Sequence, residues 1–252
     1  MPAFDADRDA VIDRARQAGV GRIMNPGIDL ESSRRAVALA EKYPEVYAAV
    51  GFHPHDASKL DEPELKELKE LARHPKVKAI GEIGLDYYRN LSPRDVQQRA
   101  FRAQLELAAE LNLPVIIHNR EAHADVIGML AEWGRGRETA KPFGVLHSFS
   151  GDRTQVAPSL KVNFLLGLTG PITFPKADEM RTVAKDAPLS KVLIETDAPY
   201  LTPAPFRGRR NEPAYARYVA EKLAEVRGEA LETVTMQTSA NAALLFEWSN
   251  SS

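Results

Sequence analysis

The sequence predicts an α/β fold with a parallel sheet, one strand short of a (β/α)8 barrel. Three observations predict it. Apolar runs of strand length alternate with amphipathic stretches of helix length, the pattern of parallel strands joined by crossover helices. Seven such runs occur, near residues 22, 46, 77, 114, 143, 162 and 192, where a closed barrel needs eight. Four runs end in a residue of metal-ligand type: Glu82 in VKAIGEIGLD, His118 in PVIIH, His147 in FGVLH and Asp197 in VLIETD. Strands of a parallel sheet that share this ending deliver the four residues to one face.

The elements follow in order. Asp5–Ala18 has apolar or small residues at helical spacing (Ala10, Val11, Ala15, Ala18) and stops at Gly19, so a helix with no strand before it is expected. Arg22–Pro26 reads as a short strand, and Leu30–Lys42 as a helix with Asp29 as N-cap. Val46–Gly51 is a strand leading into Phe52-His53-Pro54-His55, and Pro63–Arg73 a charged helix. Val77–Ile83 is a strand apolar on both faces except for Glu82, with Gly81 and Gly84 leaving room for a close approach to the backbone. Pro93–Leu111 is a long amphipathic helix, Pro114–His118 a strand, Ala122–Trp133 a helix and Phe143–His147 a strand. A short helix near Arg153–Ser159, a strand at Val162–Leu168, a helix near Lys176–Lys185 and a strand at Val192–Thr196 follow. A Pro-rich loop, Pro199–Arg210, precedes helices at Glu212–Val226 and Glu229–Phe246. No repeat, linker or composition break appears, so residues 1–248 are expected as a single barrel domain and residues 249–252 as a tail.

Composition narrows the class. Of 252 residues, 44% are hydrophobic, enough for a core and too many for a disordered chain. No run approaches the roughly 20 apolar residues of a membrane-spanning helix. The absence of cysteine excludes a disulfide framework and a thiolate site. No basic-then-apolar pattern marks the opening residues, and a cytoplasmic protein without an obligate protein partner is the default expectation. With a formal net charge of −2, any contact with nucleic acid must rest on a local cluster of cations.

The strand-end residues carry the chemistry. A buried Glu is expensive unless it is paired, protonated or bound to metal. Two His and two carboxylates suit a divalent ion, which activates water and stabilises phosphoryl oxygens; the alternative is four satisfied polar groups at strand ends. Glu82 has two oxygens with which to bridge two ions. Strand parity puts Glu195 on the face of Asp197, either as a further ligand or in a structural ion pair. His53 can meet a phosphate or a leaving group, or stabilise the turn at Pro54. Arg120, two residues after His118, can hold an anion bidentately or form a rim salt bridge. Arg207, Arg209 and Arg210 in RGRRNEP suit phosphate or form a solvated charge run. Tyr87 and Tyr88 can stack on bases, though packing is the commoner use. His74 and His123 are expected on helix surfaces.

The motifs GFHPHDA, GEIGLDYYR, PVIIHNRE, LHSFSG, ETDAPYLTP and RGRRNEP, in that order, resemble the TatD family of metal-dependent deoxyribonucleases. The resemblance covers most of the chain. It implies a (β/α)8 TIM-type barrel and hydrolysis of DNA phosphodiesters from a strand end, single-stranded or duplex. It further implies two divalent ions (Mg, Mn or Zn) held by Glu82, His118, His147 and Asp197, with Asp197 also placed as catalytic proton acceptor. His53, Arg120 and Arg209 are then expected to bind substrate. Some relatives are credited with removing D-amino acids from tRNA, so a D-aminoacyl-tRNA deacylase or other ester hydrolase is the alternative. Members of the family open with a strand carrying His-x-His, two further ligands, whereas this sequence starts Met1-Pro2-Ala3-Phe4-Asp5. On that pattern a shortened form is expected, less stable and nearly inactive, with a catalytically impaired metal- and nucleic-acid-binding protein as a further alternative.

Overall fold

The computed structural model describes residues 2–137 and 139–248. The tail expected at residues 249–252 lies outside the described residues. Seven strands are found among the described residues: β1 Ile23–Pro26, β2 Val46–Val50, β3 Val77–Asp86, β4 Val115–Arg120, β5 Gly144–Leu146, β6 Phe164–Leu168 and β7 Val192–Ile194. The α-helices are α1 Arg8–Gln17, α2 Leu30–Lys42, α3 Glu62–Ala72, α4 Arg94–Leu111, α5 His123–Trp133, α6 Arg153–Lys161, α7 Asp178–Asp186, α8 Ala216–Arg227 and α9 Leu231–Phe246. None of these helices is long and apolar enough to cross a membrane. Strand–helix alternation therefore holds along the chain, with boundaries within a few residues of those expected.

The described residues fall into two compact units. One is drawn from Arg22–His147, Lys161–Phe164 and Ala243–Ser252. In it β1 to β5 lie side by side in sequence order, each pair parallel. Every residue of β2 is buried, as expected of a parallel strand covered on both faces. Asp29 caps α2 by accepting from the Ser32 amide at 2.7 Å, while the Ser32 hydroxyl accepts from the Asp29 amide at 3.0 Å. This reciprocal cap satisfies two amides that the first helical turn would otherwise leave open.

The other unit is drawn from Met1–Gly21, Ser148–Leu160 and Leu165–Ala242. Its strands β6 and β7 pair in parallel, Leu166 beside Val192. Helix α1 is tied to the segment before α8 by charge. Arg14 donates to Glu212 at 2.7 Å, and Arg210 donates to Asp7 through both terminal nitrogens at 2.8 and 2.7 Å.

Candidate metal and active site

Strand β3 runs three residues beyond the end expected at Ile83, reaching Asp86. Its glycines make room for β4. A Cβ on Gly81 would meet Ile116 Cβ at 2.6 Å, and one on Gly84 would meet the His118 carbonyl oxygen at 2.0 Å. Gly84 also takes a φ of +141°, which only glycine adopts easily. The space expected beside Glu82 is thus filled by the neighbouring strand. That approach pairs Gly84 with His118 and Asp86 with Arg120.

The pairing brings Glu82 and His118 together. His118 Nδ1 lies 2.9 Å from Glu82 Oε1, and His118 Nε2 lies 3.1 Å from Asp86 Oδ2. Asp86 is fully buried. It also accepts from His55 Nε2 at 2.9 Å and from the Arg89 amide at 2.7 Å. Burial alone would raise both carboxyls. His147 and His118 outweigh it at Glu82, and the bonds from His118, Arg89 and His55 outweigh it at Asp86, so both stay well below the usual carboxylate range. Burial works against a charged His118 as well, yet Asp86 and Glu82 overcome it and lift the ring to about 9.

His53 completes a close group. Its Nε2 is 3.9 Å from Glu82 Oε1, and the donor atoms of His53, Glu82 and His118 all lie within 4.8 Å of one another. Burial pushes His53 down to about 3, against the pull of Glu82. Its Nδ1 accepts from the His55 amide at 3.2 Å. A neutral imidazole that accepts at Nδ1 carries its proton on Nε2. His53 therefore presents an N–H toward Glu82, which suits a donor to substrate better than a ligand to metal. Glu82 and His118 are the pair fitted to an ion: on loss of the proton between them, a carboxylate oxygen and an imidazole nitrogen face the same point. Asp86 behind His118 supplies the carboxylate–histidine arrangement that orients such a ligand.

Helix α4 holds both loops of this group. The Gln104 side chain accepts from the Phe52 amide at 2.7 Å and donates to the Phe52 carbonyl at 3.1 Å, fixing the segment that enters His53. The Gln97 side chain accepts from the Asp86 amide at 2.8 Å and donates to the Ser92 carbonyl at 2.8 Å. Asp86, Gln97 and Gln104 escaped the sequence reading. Parity could have found Asp86, since it stands four residues after Glu82 on one strand face. Polar residues in the middle of a helix read as solvated, so the two glutamines gave no signal.

The remaining expected site residues divide between the two units. In the unit of Glu82, His147 is half-buried after β5 and its amide donates to the Ile117 carbonyl at 2.9 Å. Arg120 is exposed, its guanidinium 3.9 Å from the centre of the Tyr88 ring. His74, just past the end of α3, and His123, at the start of α5, are both partly exposed. His74 pairs with Glu41 at 3.2 Å and His123 Nδ1 meets the Asn119 amide group at 3.0 Å.

In the other unit, Asp197 follows β7 with φ +54°, and its carbonyl accepts from the Tyr200 amide at 2.8 Å. Glu195 accepts from the Ser148 amide at 2.9 Å and fills the space that a Cβ on Gly167 would take. Of the arginine cluster, Arg210 is committed to Asp7 and Glu212, whereas Arg207 and Arg209 are exposed. Asn211 is a buried clamp, bonding the Thr196 and Tyr200 carbonyls on either side of Asp197.

A family model described as TatD-related DNase matches residues 1–247. The chain belongs to the TatD-related DNase family. Among curated relatives, an uncharacterized metal-dependent hydrolase of Bacillus subtilis, YabD, is 45% identical over 243 residues, 96% of this chain and 94% of the relative. The 3′-5′ ssDNA/RNA exonuclease TatD of Salmonella typhimurium is 40% identical over 250 residues, covering 97% and 94%. Among solved structures, YjjV, a TatD homolog from Escherichia coli K12, matches with a TM-score of 0.92 and 36% identity over 99% of this chain and 95% of that one. The fold class is thus the TIM-type α/β fold expected for a TatD-family chain.

Proposed function

We propose that this TatD-family protein is a metal-dependent hydrolase that removes nucleotides from the ends of single-stranded DNA or RNA. The observation that carries the reading is the Glu82–His118–Asp86 constellation: a carboxylate held ionised in a nearly buried site, a histidine shared with it at 2.9 Å, and a fully buried second carboxylate behind that histidine. Ion pairs of this kind are costly to bury without a use. The Salmonella relative named a 3′-5′ ssDNA/RNA exonuclease supports the substrate class and the polarity.

Glu82 and His118, with His147, hold a divalent ion in this reading, and Asp86 fixes the His118 ring. A divalent ion bound there stabilises charge on phosphoryl oxygens and lowers the pKa of water. His53, kept neutral by burial, donates its Nε2–H to a phosphate oxygen. Arg120 holds a phosphate beside this group, and Arg209 is proposed as a phosphate-binding residue of the other unit. Asp197, in the other unit, is proposed as a metal-ligand residue and proton acceptor, a role that Asp197→Asn tests by its loss of turnover.

The deciding experiment uses metal-stripped protein and oligonucleotides labelled at one end. With Mg, Mn or Zn restored singly, a ladder shortening from the 3′ end is expected on single strands, with slower loss from duplex. Release of the amino acid from D-aminoacyl-tRNA, with no nucleotide release from any strand under any of the three metals, would overturn the nuclease reading in favour of another ester substrate.

A further inference from the structure

An exposed aromatic stands one short step from the proposed metal group. Tyr88 is 64% exposed, a large fraction for a tyrosine in an ordered loop. It comes two residues after Asp86, and Arg120 comes two residues after His118, about 7 Å further along an extended strand. The register of β3 and β4 sets Asp86 beside Arg120, and the Tyr87 amide donates to the Arg120 carbonyl at 2.9 Å. The two strands thus hand over, side by side, from the metal-type residues to an aromatic–guanidinium pair.

The chemistry of that pair is specific. The Arg120 guanidinium lies 3.9 Å from the Tyr88 ring centre, which orients both side chains. Among the described residues Arg120 has the Tyr88 ring as its side-chain contact and no carboxylate partner. A guanidinium that rests on an aromatic ring and forms no ion pair keeps N–H donors for a phosphate. Tyr87 plays a different part: its hydroxyl donates to Asp125 at 2.7 Å and its ring lies 4.2 Å from the Arg94 guanidinium, so it is spent on packing. Tyr88 makes no such bond, and at 64% exposure much of its ring surface is left to solvent.

We infer that Tyr88 and Arg120 form a stacking subsite for one unpaired nucleobase and its phosphate, adjoining the nucleotide held at Glu82 and His118. The inference rests on the nuclease reading and adds to it a basis for single-strand preference. A base can lie on Tyr88 only when its face is free, as in a single strand and not inside a duplex. Every base has such a face, so the subsite tolerates any sequence. Arg120 fixes the backbone alongside without reading the base.

The test is binding, in chelator so that nothing is cut, of two fluorescent strands of equal length: oligothymidylate and its abasic counterpart, which carries the same phosphates without bases. Wild type is expected to bind the base-bearing strand roughly tenfold more tightly, within the range for one stacked base. Tyr88→Ala should abolish that preference, and Tyr88→Phe, which keeps the ring, should restore it. All three proteins should melt at the same temperature, since the side chain is mostly in solvent. Equal binding of the two strands by wild type, or an unchanged preference in Tyr88→Ala, overturns the subsite. If wild type nevertheless shortens oligothymidylate when metal is restored, the nuclease reading stands without it. A base preference that vanishes in Tyr88→Ala, in a protein that cuts no strand with any metal, keeps the subsite and removes the nuclease.

Discussion

At the scale of single residues, Glu82 and Asp86 are the same chemistry set to different tasks by their neighbours. Glu82 faces His118 and His53 at the mouth of the group, whereas Asp86 has no exposure and three donors. Removing the charge at Glu82 removes a proposed ligand. Glu82→Gln keeps the shape and is expected to weaken divalent-metal affinity tenfold or more, about 1.4 kcal/mol or above, by calorimetry on metal-stripped protein. Unchanged affinity would sink the assignment. Asp86→Asn acts through His118, because the amide holds the ring less firmly and with altered proton preference. A loss of about 10- to 100-fold in metal affinity or activity is expected for such an orienting carboxylate. An Asp86→Asn protein that binds metal as wild type does would make the carboxylate a purely structural partner. Glu82 was legible in the sequence because a lone carboxylate stands out in an apolar run. Asp86 was not, because Gly84 breaks the apolar run and made Ile83 look like the last strand residue. His53 was legible as a histidine worth noting, but its tautomer depends on a bond from the His55 amide that only the folded turn makes.

At the scale of elements, α4 and α1 each brace a loop, and each does so with polar groups. The alternation of apolar runs exposed the strands and helices because parallel strands are covered on both faces. It concealed the bracing, since Gln97 and Gln104 reach segments up to 52 residues away in sequence. Gln104→Leu would leave the Phe52 amide and carbonyl buried without their partner. At about 1–3 kcal/mol for each such group, a clear fall in melting temperature is expected. A melt equal to wild type would show that water or a shifted side chain takes over the bonds.

The α1 brace responds to pH. The Arg210 guanidinium, aided by Arg14, holds Asp7 down at about 2, below its usual 3.8. Glu212 is also lowered: burial opposes this, but Arg14 and Arg210 prevail. Both carboxyls bind protons more readily in the unfolded chain than in the folded one. Their contribution is therefore fully present above the usual carboxylate range and is lost as pH falls toward the folded values. Melting temperature should drop more steeply between about pH 5 and 3 in wild type than in Arg210→Ala, which lacks the main partner. Parallel curves for the two proteins would assign the acid sensitivity to other groups.

At the scale of the whole molecule, charge sets how nucleic acid can be held. A net charge of −2 gives no general attraction to phosphate, so binding must come from local cations such as Arg120. Each phosphate neutralised on a single strand adds about −0.7 to the slope of log affinity against log salt. With a few contacts only, a shallow slope of about −1 to −3 is expected for an oligonucleotide, measured in chelator between about 50 and 200 mM salt. Arg120→Ala should flatten that slope by about one contact, uniformly across sequences, because the guanidinium meets backbone and not base edges. Arg210→Ala should leave it unchanged, because that side chain is already committed to Asp7 and Glu212. Both arginines are phosphate-binding candidates by residue type, and the fold separates them by pairing Arg210 with two carboxylates and setting Arg120 on the Tyr88 ring. An equal effect of both substitutions would mean that overall charge governs binding, and the local reading of the Arg120 surface would then fail.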